Sequence, residues 1–138
     1  MAKLTKRLNE NFASQLVSIE STRSRMEGLL VSGQISNSDI SHVYAGLFME
    51  LFTDFEALLE ELFFGLLDGN LYTRTYPISK IAKISPTSQI KNIVHGGKAY
   101  VNWLPYKEHT LPRAKLYINA GEPFCRLTNP DINIITNL

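Results

Sequence analysis

The chain has 138 residues, 44% of them hydrophobic and 20% charged, with a formal net charge of +1 and one cysteine. That length suits one domain able to bury about two-thirds of its unfolded surface without a metal or disulfide staple. The balance excludes a collagenous or disordered chain and an internal disulfide, and it fits a reducing, cytoplasmic setting.

Leu4, Leu8, Phe12, Leu16, Ile19, Met26 and Leu30 recur at helical steps. Their spacing predicts an amphipathic helix over residues 3–31, ended by Gly33. Asn37 or Ser38 is expected to cap a second helix over residues 38–68, with Asp39 at its positive end. The run Asp68-Gly69-Asn70 stops it. On a helical wheel the apolar residues from Tyr44 to Leu67 cover an arc of about 200°. A helix this broadly apolar is expected to touch more than one neighbour. Glu50, Asp54, Glu61 and Asp68 form a narrow stripe opposite, read as a solvated face because no histidine joins them. The carboxylates Glu50, Asp54, Glu56, Glu60 and Glu61 exclude a membrane span here.

Beyond residue 70 the period breaks. "SPTSQIKNIV" predicts a short helix capped by Ser85, with Pro86 in its first turn. "HTLPRAKLYINAG" predicts another, with Thr110 as cap, Pro112 in the first turn and Gly121 past the end. "TNPDINIITNL" reads as the start of one more, capped near Thr128 or Asn129 and about two turns long. The expected organisation is therefore one domain over residues 1–138, incomplete at its C-terminal edge. Trp103, Pro105, Tyr106 and Phe124 sit in an aromatic, proline-containing segment with two readings. It closes the open end of the helix pair, or it offers rings for ligand stacking.

Charge is unevenly placed. Residues 1–69 carry five Lys/Arg and ten Asp/Glu; residues 70–138 carry nine and three. From Asn70 to Lys107 there are six basic residues and no acidic one. Arg74, Lys80, Lys83, Lys91 and Lys98 are thus candidates for a weak nucleic-acid surface. The alternative is that the two halves neutralise each other, within the fold or across an oligomer.

Constellations that carry chemistry are absent. "HGGK" lacks the spacing of a phosphate loop. His42, His95 and His109 do not stand with Cys125 at any metal-ligand or nucleophile–base spacing. No cofactor and no metal is expected.

One resemblance emerges from the second half. Phe55-Glu56 on the second long helix, Gly97 with Tyr100, the run Trp103-Leu104-Pro105-Tyr106, Arg113-Ala114 and the turn Gly121-x-Pro123-Phe124 together resemble the HEPN superfamily. The nearer likeness is to its defence-associated RiboL-PSP-HEPN branch, and it spans roughly residues 40–127. The resemblance implies a helical domain around an antiparallel long-helix pair. It also implies a link to metal-independent ribonucleases that act as dimers and belong to prokaryotic defence or toxin-type systems. In that family an arginine, four to six residues and a histidine form the catalytic motif. Arginine would hold the scissile phosphate and histidine would move a proton. No arginine of this chain is followed by histidine at that spacing. In the family the motif would lie on the helix that begins near residue 128.

The expectations are then these. The fold is all-α: an antiparallel long-helix pair closed by short helices and the Trp/Pro loop. Glu56, Trp103, Pro105, Tyr106, Arg113 and Phe124 serve structure, and the chain alone has no ribonuclease activity. Its function is that of a HEPN-like RNA-associated module. The alternative is an interaction module that dimerises or binds a partner chain through the second helix and the C-terminal edge. RNA, a second copy or another protein are the expected partners, and a membrane is not.

Overall fold

The fold is all-α. The computed structural model describes residues 3–72 and 87–126. The elements are β1 (Lys3–Leu4), α1 (Thr5–Val31), α2 (Asn37–Asp68), β2 (Leu71–Tyr72), α3 (Thr87–His95) and α4 (Leu111–Tyr117). A π-helical turn, Tyr106–Thr110, leads into α4, and the short turns Asn119–Gly121 and Phe124–Arg126 follow it. The two-residue strands pair in parallel, Lys3 with Leu71 and Leu4 with Tyr72. Among the described residues no helix is long and apolar enough to cross a membrane.

The chain divides into two compact units: Lys6–Leu58, and the remainder from Leu59 onward together with the N-terminal strand. The first is a helical hairpin. Phe12 meets Phe55 with ring centroids 5.8 Å apart, and Tyr44 donates to Glu27, so α1 and this part of α2 run antiparallel. The link between them is built by local chemistry. Gly33 takes φ +72°, and the N–H groups of Gln34 and Gly33 return to the carbonyls of Leu29 and Leu30 at 2.9 and 3.0 Å. This is the left-handed helix stop that only glycine adopts cheaply.

The cap of α2 lies one residue earlier than the sequence suggests. Ser36 and Asp39 form a reciprocal box. The Ser36 N–H and hydroxyl donate to Asp39 Oδ2 at 2.8 and 2.7 Å, and the Asp39 N–H donates to Ser36 Oγ at 3.2 Å. A carboxylate at the third helical position reaches back only to a cap three residues before it, which selects Ser36 over Asn37 or Ser38.

The C-terminal unit holds the core. Leu59, Phe63, Phe64, Leu66, Leu67, Leu71, Ile90, Trp103, Tyr106, Ala114, Ile118 and Phe124 are buried in it. The end of α2 is therefore buried as a broadly apolar helix should be, and the aromatic segment supplies the cover. Gly65 on α2 allows the returning chain to approach: a Cβ there would stand 2.5 Å from Leu71 Cγ.

The expected Thr110 cap is corrected. Thr110 has helical dihedrals and makes no capping bond. The helical segment begins a turn earlier, after Pro105, and the Thr110 hydroxyl is turned onto the carbonyl of Trp103 instead. The expected cap at Ser85-Pro86 and the helix expected near Thr128 lie outside the described residues.

Candidate functional site

The segment after α3 is aimed inward by a double-glycine stop. Gly96 and Gly97 both have positive φ, and their N–H groups bond the carbonyls of Ile93 and Asn92 at 3.2 and 3.3 Å. The chain then runs without helix through Val101 and Asn102 to Trp103, which is wholly buried at 0% exposure.

Trp103 is the hub of an aromatic cluster. Its ring lies 5.1 Å from that of Phe63 and 6.1 Å from that of Phe64, the second contact edge-on. Phe63 also meets Tyr117 and Phe124, at 6.1 and 6.0 Å. The guanidinium of Arg113 stands over the indole, 4.5 Å from the ring centroid, and donates to the carbonyl of Asn102 at 3.1 Å. Burial pulls the Arg113 pKa below the ordinary arginine value, with the charges of Tyr117 and Glu60 opposing the shift. The indole Nε1–H donates to Glu60 Oε2 at 3.3 Å. The other carboxylate oxygen of Glu60 pairs with Lys91 at 3.3 Å, and that ammonium also lies 5.1 Å from the centroid of Phe64. Glu60 thus joins α2, α3 and the aromatic segment.

Two further bonds lock the segment. The Tyr106 hydroxyl, buried, donates to the carbonyl of Phe124 at 2.8 Å, and Thr110 Oγ1 donates to that of Trp103 at 2.5 Å. Burial pushes the Tyr106 phenol well above its ordinary pKa, with the charge of Cys125 adding to the shift. The Leu104-Pro105 and Glu122-Pro123 peptide bonds are cis.

This geometry decides between the two readings of the aromatic segment. Trp103 and Tyr106 close the core; neither exposes a ring face on which a ligand could stack. Arg113 and Phe124 belong to the same plug. Pro105 is exposed at its rim, and Glu56 is half-buried on α2 within the hairpin unit. Of the basic residues, Lys98 is exposed and Lys91 is paired with Glu60. Arg74, Lys80 and Lys83 lie outside the described residues. Glu60 was not marked by the sequence, because its partners stand 31 and 43 positions away.

Among the described residues, no three His, Cys, Asp or Glu side chains gather as metal ligands. His95 Nε2 is buried and has no hydrogen-bond partner among the described residues; its ring stands 5.6 Å from that of Phe64.

Large apolar side chains are exposed in both units, and in the hairpin four of them fall close together on α2. Tyr44, Phe48, Met49 and Phe52 are 40, 40, 59 and 37% exposed, and Ile40 alone among the described side chains from 7 to 58 is fully buried. Phe48 and Phe52 lie 6.3 Å apart, one helical turn from each other. Tyr44 is fixed at the end of the row by Glu27, which Arg23 also holds, and Arg23 is paired in turn with Glu20. No family model, curated protein or solved structure matches this chain.

Proposed function

We propose that the chain is an interaction module that engages another protein chain through the uncovered face of α2. The observation that supports it is the row Tyr44, Phe48, Met49 and Phe52, each more than a third exposed on one side of a hairpin with almost no buried interior. A contiguous apolar face of this kind on a soluble protein marks an association site. The aromatic plug then has a plain role: it covers the end of α2 from Leu59 onward.

A photo-reactive phenylalanine analogue at position 48 tests the reading in cells that make the protein. A cross-link to any other protein chain, a second copy included, supports it. Irradiation that yields no intermolecular adduct overturns it.

A second reading is the RNA-associated module that the HEPN resemblance implies. The excess of basic residues between Asn70 and Lys107, with Lys98 exposed among them, favours it. Binding to a single strand should then weaken with salt, by about 0.7 in log affinity per tenfold salt for each phosphate contact. Binding that salt does not alter, or none at low salt, removes this reading.

A further inference from the structure

Resting on the interaction reading, we infer that the hairpin unit takes up a basic amphipathic helix of a different protein, laid in the groove between α1 and α2. Two rows of side chains make this groove. On α1, Phe12, Leu16, Glu20, Arg23 and Glu27 follow one another at helical steps; on α2, Tyr44, Phe48, Phe52 and Phe55 do the same. The rows are joined at both ends, Phe12 to Phe55 and Glu27 to Tyr44. Counted inward from those two contacts, Leu16 falls at about the level of Phe52, and Glu20 at about that of Phe48.

Leu16, Tyr44, Phe48 and Phe52 are each 37–40% exposed. Such even, partial exposure over three turns marks the floor of an open two-helix groove: each side chain is covered by its neighbours on one side and open on the other. From Tyr44 to Phe55 the floor runs about 17 Å, the length of about eleven helical residues. A third helix seated there, ridge into groove, completes a bundle.

Charge selects the occupant. Over its whole length α2 carries seven carboxylates and neither lysine nor arginine. The hairpin unit has seven Asp/Glu against four Lys/Arg. Within the groove, Arg23 is shared between Glu20 and Glu27, which leaves the wall of α1 net negative. Glu56 stands one turn past Phe52 on the other wall. The complementary helix therefore has an apolar stripe for Tyr44, Phe48 and Phe52, and lysine or arginine along the edge that meets Glu20. The hairpin of a second copy would set like charge against like. RNA and anionic lipid are repelled from this groove for the same reason.

The test starts from the photo-adduct at position 48 of the full chain. Sequencing the attached peptide should return a different protein, at a stretch whose apolar residues recur at helical steps and whose Lys/Arg outnumber Asp/Glu. That stretch, synthesised with a fluorophore, is then titrated with the unmodified chain by fluorescence anisotropy. Glu20→Gln with Glu56→Gln should weaken binding by about three- to tenfold. Glu50→Gln with Asp54→Asn, on the opposite stripe of α2, should change it by less than about twofold. Both variants remove two charges, so only their place differs, and helical circular dichroism checks that each folds. The same peptide with its lysines and arginines replaced by glutamine should also bind more weakly, a readout that needs no change to the hairpin. Equal weakening by the two variants, or no loss with the neutral peptide, overturns the inference. An attached peptide that is acidic or uncharged, or that comes from a second copy, also overturns it and leaves the interaction reading standing. If irradiation gives no protein adduct, both fall.

Discussion

Arg113 lies over Trp103, its guanidinium 4.5 Å from the indole centroid and bonded to the carbonyl of Asn102, the residue just before that tryptophan. The planar cation both covers the ring and ties down the backbone that delivers it. Lysine has neither the flat face nor the fork to do both. Arg113→Lys should destabilise the protein by about 1 kcal/mol. Trp103 is the only tryptophan, so its fluorescence reports unfolding of this unit directly. A urea midpoint unchanged in the lysine variant would show that the stack contributes nothing.

The two buried hydroxyls of the plug carry a second expectation. Tyr106→Phe leaves the Phe124 carbonyl without its donor, and Thr110→Val does the same to the carbonyl of Trp103. Each change keeps the side-chain shape and takes a hydrogen-bond donor from a buried carbonyl, so each should cost about 1–3 kcal/mol. Denaturant titration of the two single variants measures this. Values near zero for both would mean that water reaches these carbonyls.

Gly65 is the third site. A methyl group there would stand 2.5 Å from Leu71 Cγ, within van der Waals overlap, and Leu71 is buried where it lies. Gly65→Ala raises intrinsic helix propensity by about 1 kcal/mol, yet the overlap should reverse the sign and lower the melting temperature. Pairing it with Leu71→Ala should restore part of the loss, because the second change removes the colliding atoms. A stabilised single variant would show that Leu71 moves aside freely.

The two long helices were legible because their apolar residues keep a helical step over many turns, and both ended within two residues of the expected positions. The role of Trp103 as cover was half-legible, as one of two readings. Glu60 was not legible at all. It belongs to no local motif, and its significance comes from Trp103 and Lys91, brought to it by folding. Thr110 was misread because Thr-x-Pro resembles a helix start. Its hydroxyl instead satisfies a carbonyl seven residues back, a contact without any periodic signature. The Ser36 cap could have been found from the spacing Ser-x-x-Asp. The exposure of Phe48 and Phe52 could not, since their period is the same as that of Leu59 and Phe63, which the plug buries.

The start of α2 should respond to acid. The backbone N–H and then the hydroxyl of Ser36 donate to the Asp39 carboxylate, and they hold its pKa below the ordinary aspartate value, with the charge of His42 a smaller cause. A carboxyl depressed in the folded state contributes stability that is fully present above its unfolded pKa of about 3.9. That contribution is lost as pH falls through the still lower folded value. Amide exchange at residues 37–40 should therefore accelerate, beyond its intrinsic pH dependence, only below about pH 4. Asp39→Asn should abolish the transition, since an amide does not titrate, while the helix start frays slightly at every pH. Ser36→Ala removes the cap itself and should cost about 1 kcal/mol at neutral pH. Protection at residues 37–40 that stays constant down to pH 2 in the unmodified chain would show that the box does not hold the helix end, and would leave the hydroxyl of Ser38 or the amide of Asn37 to cap it after all.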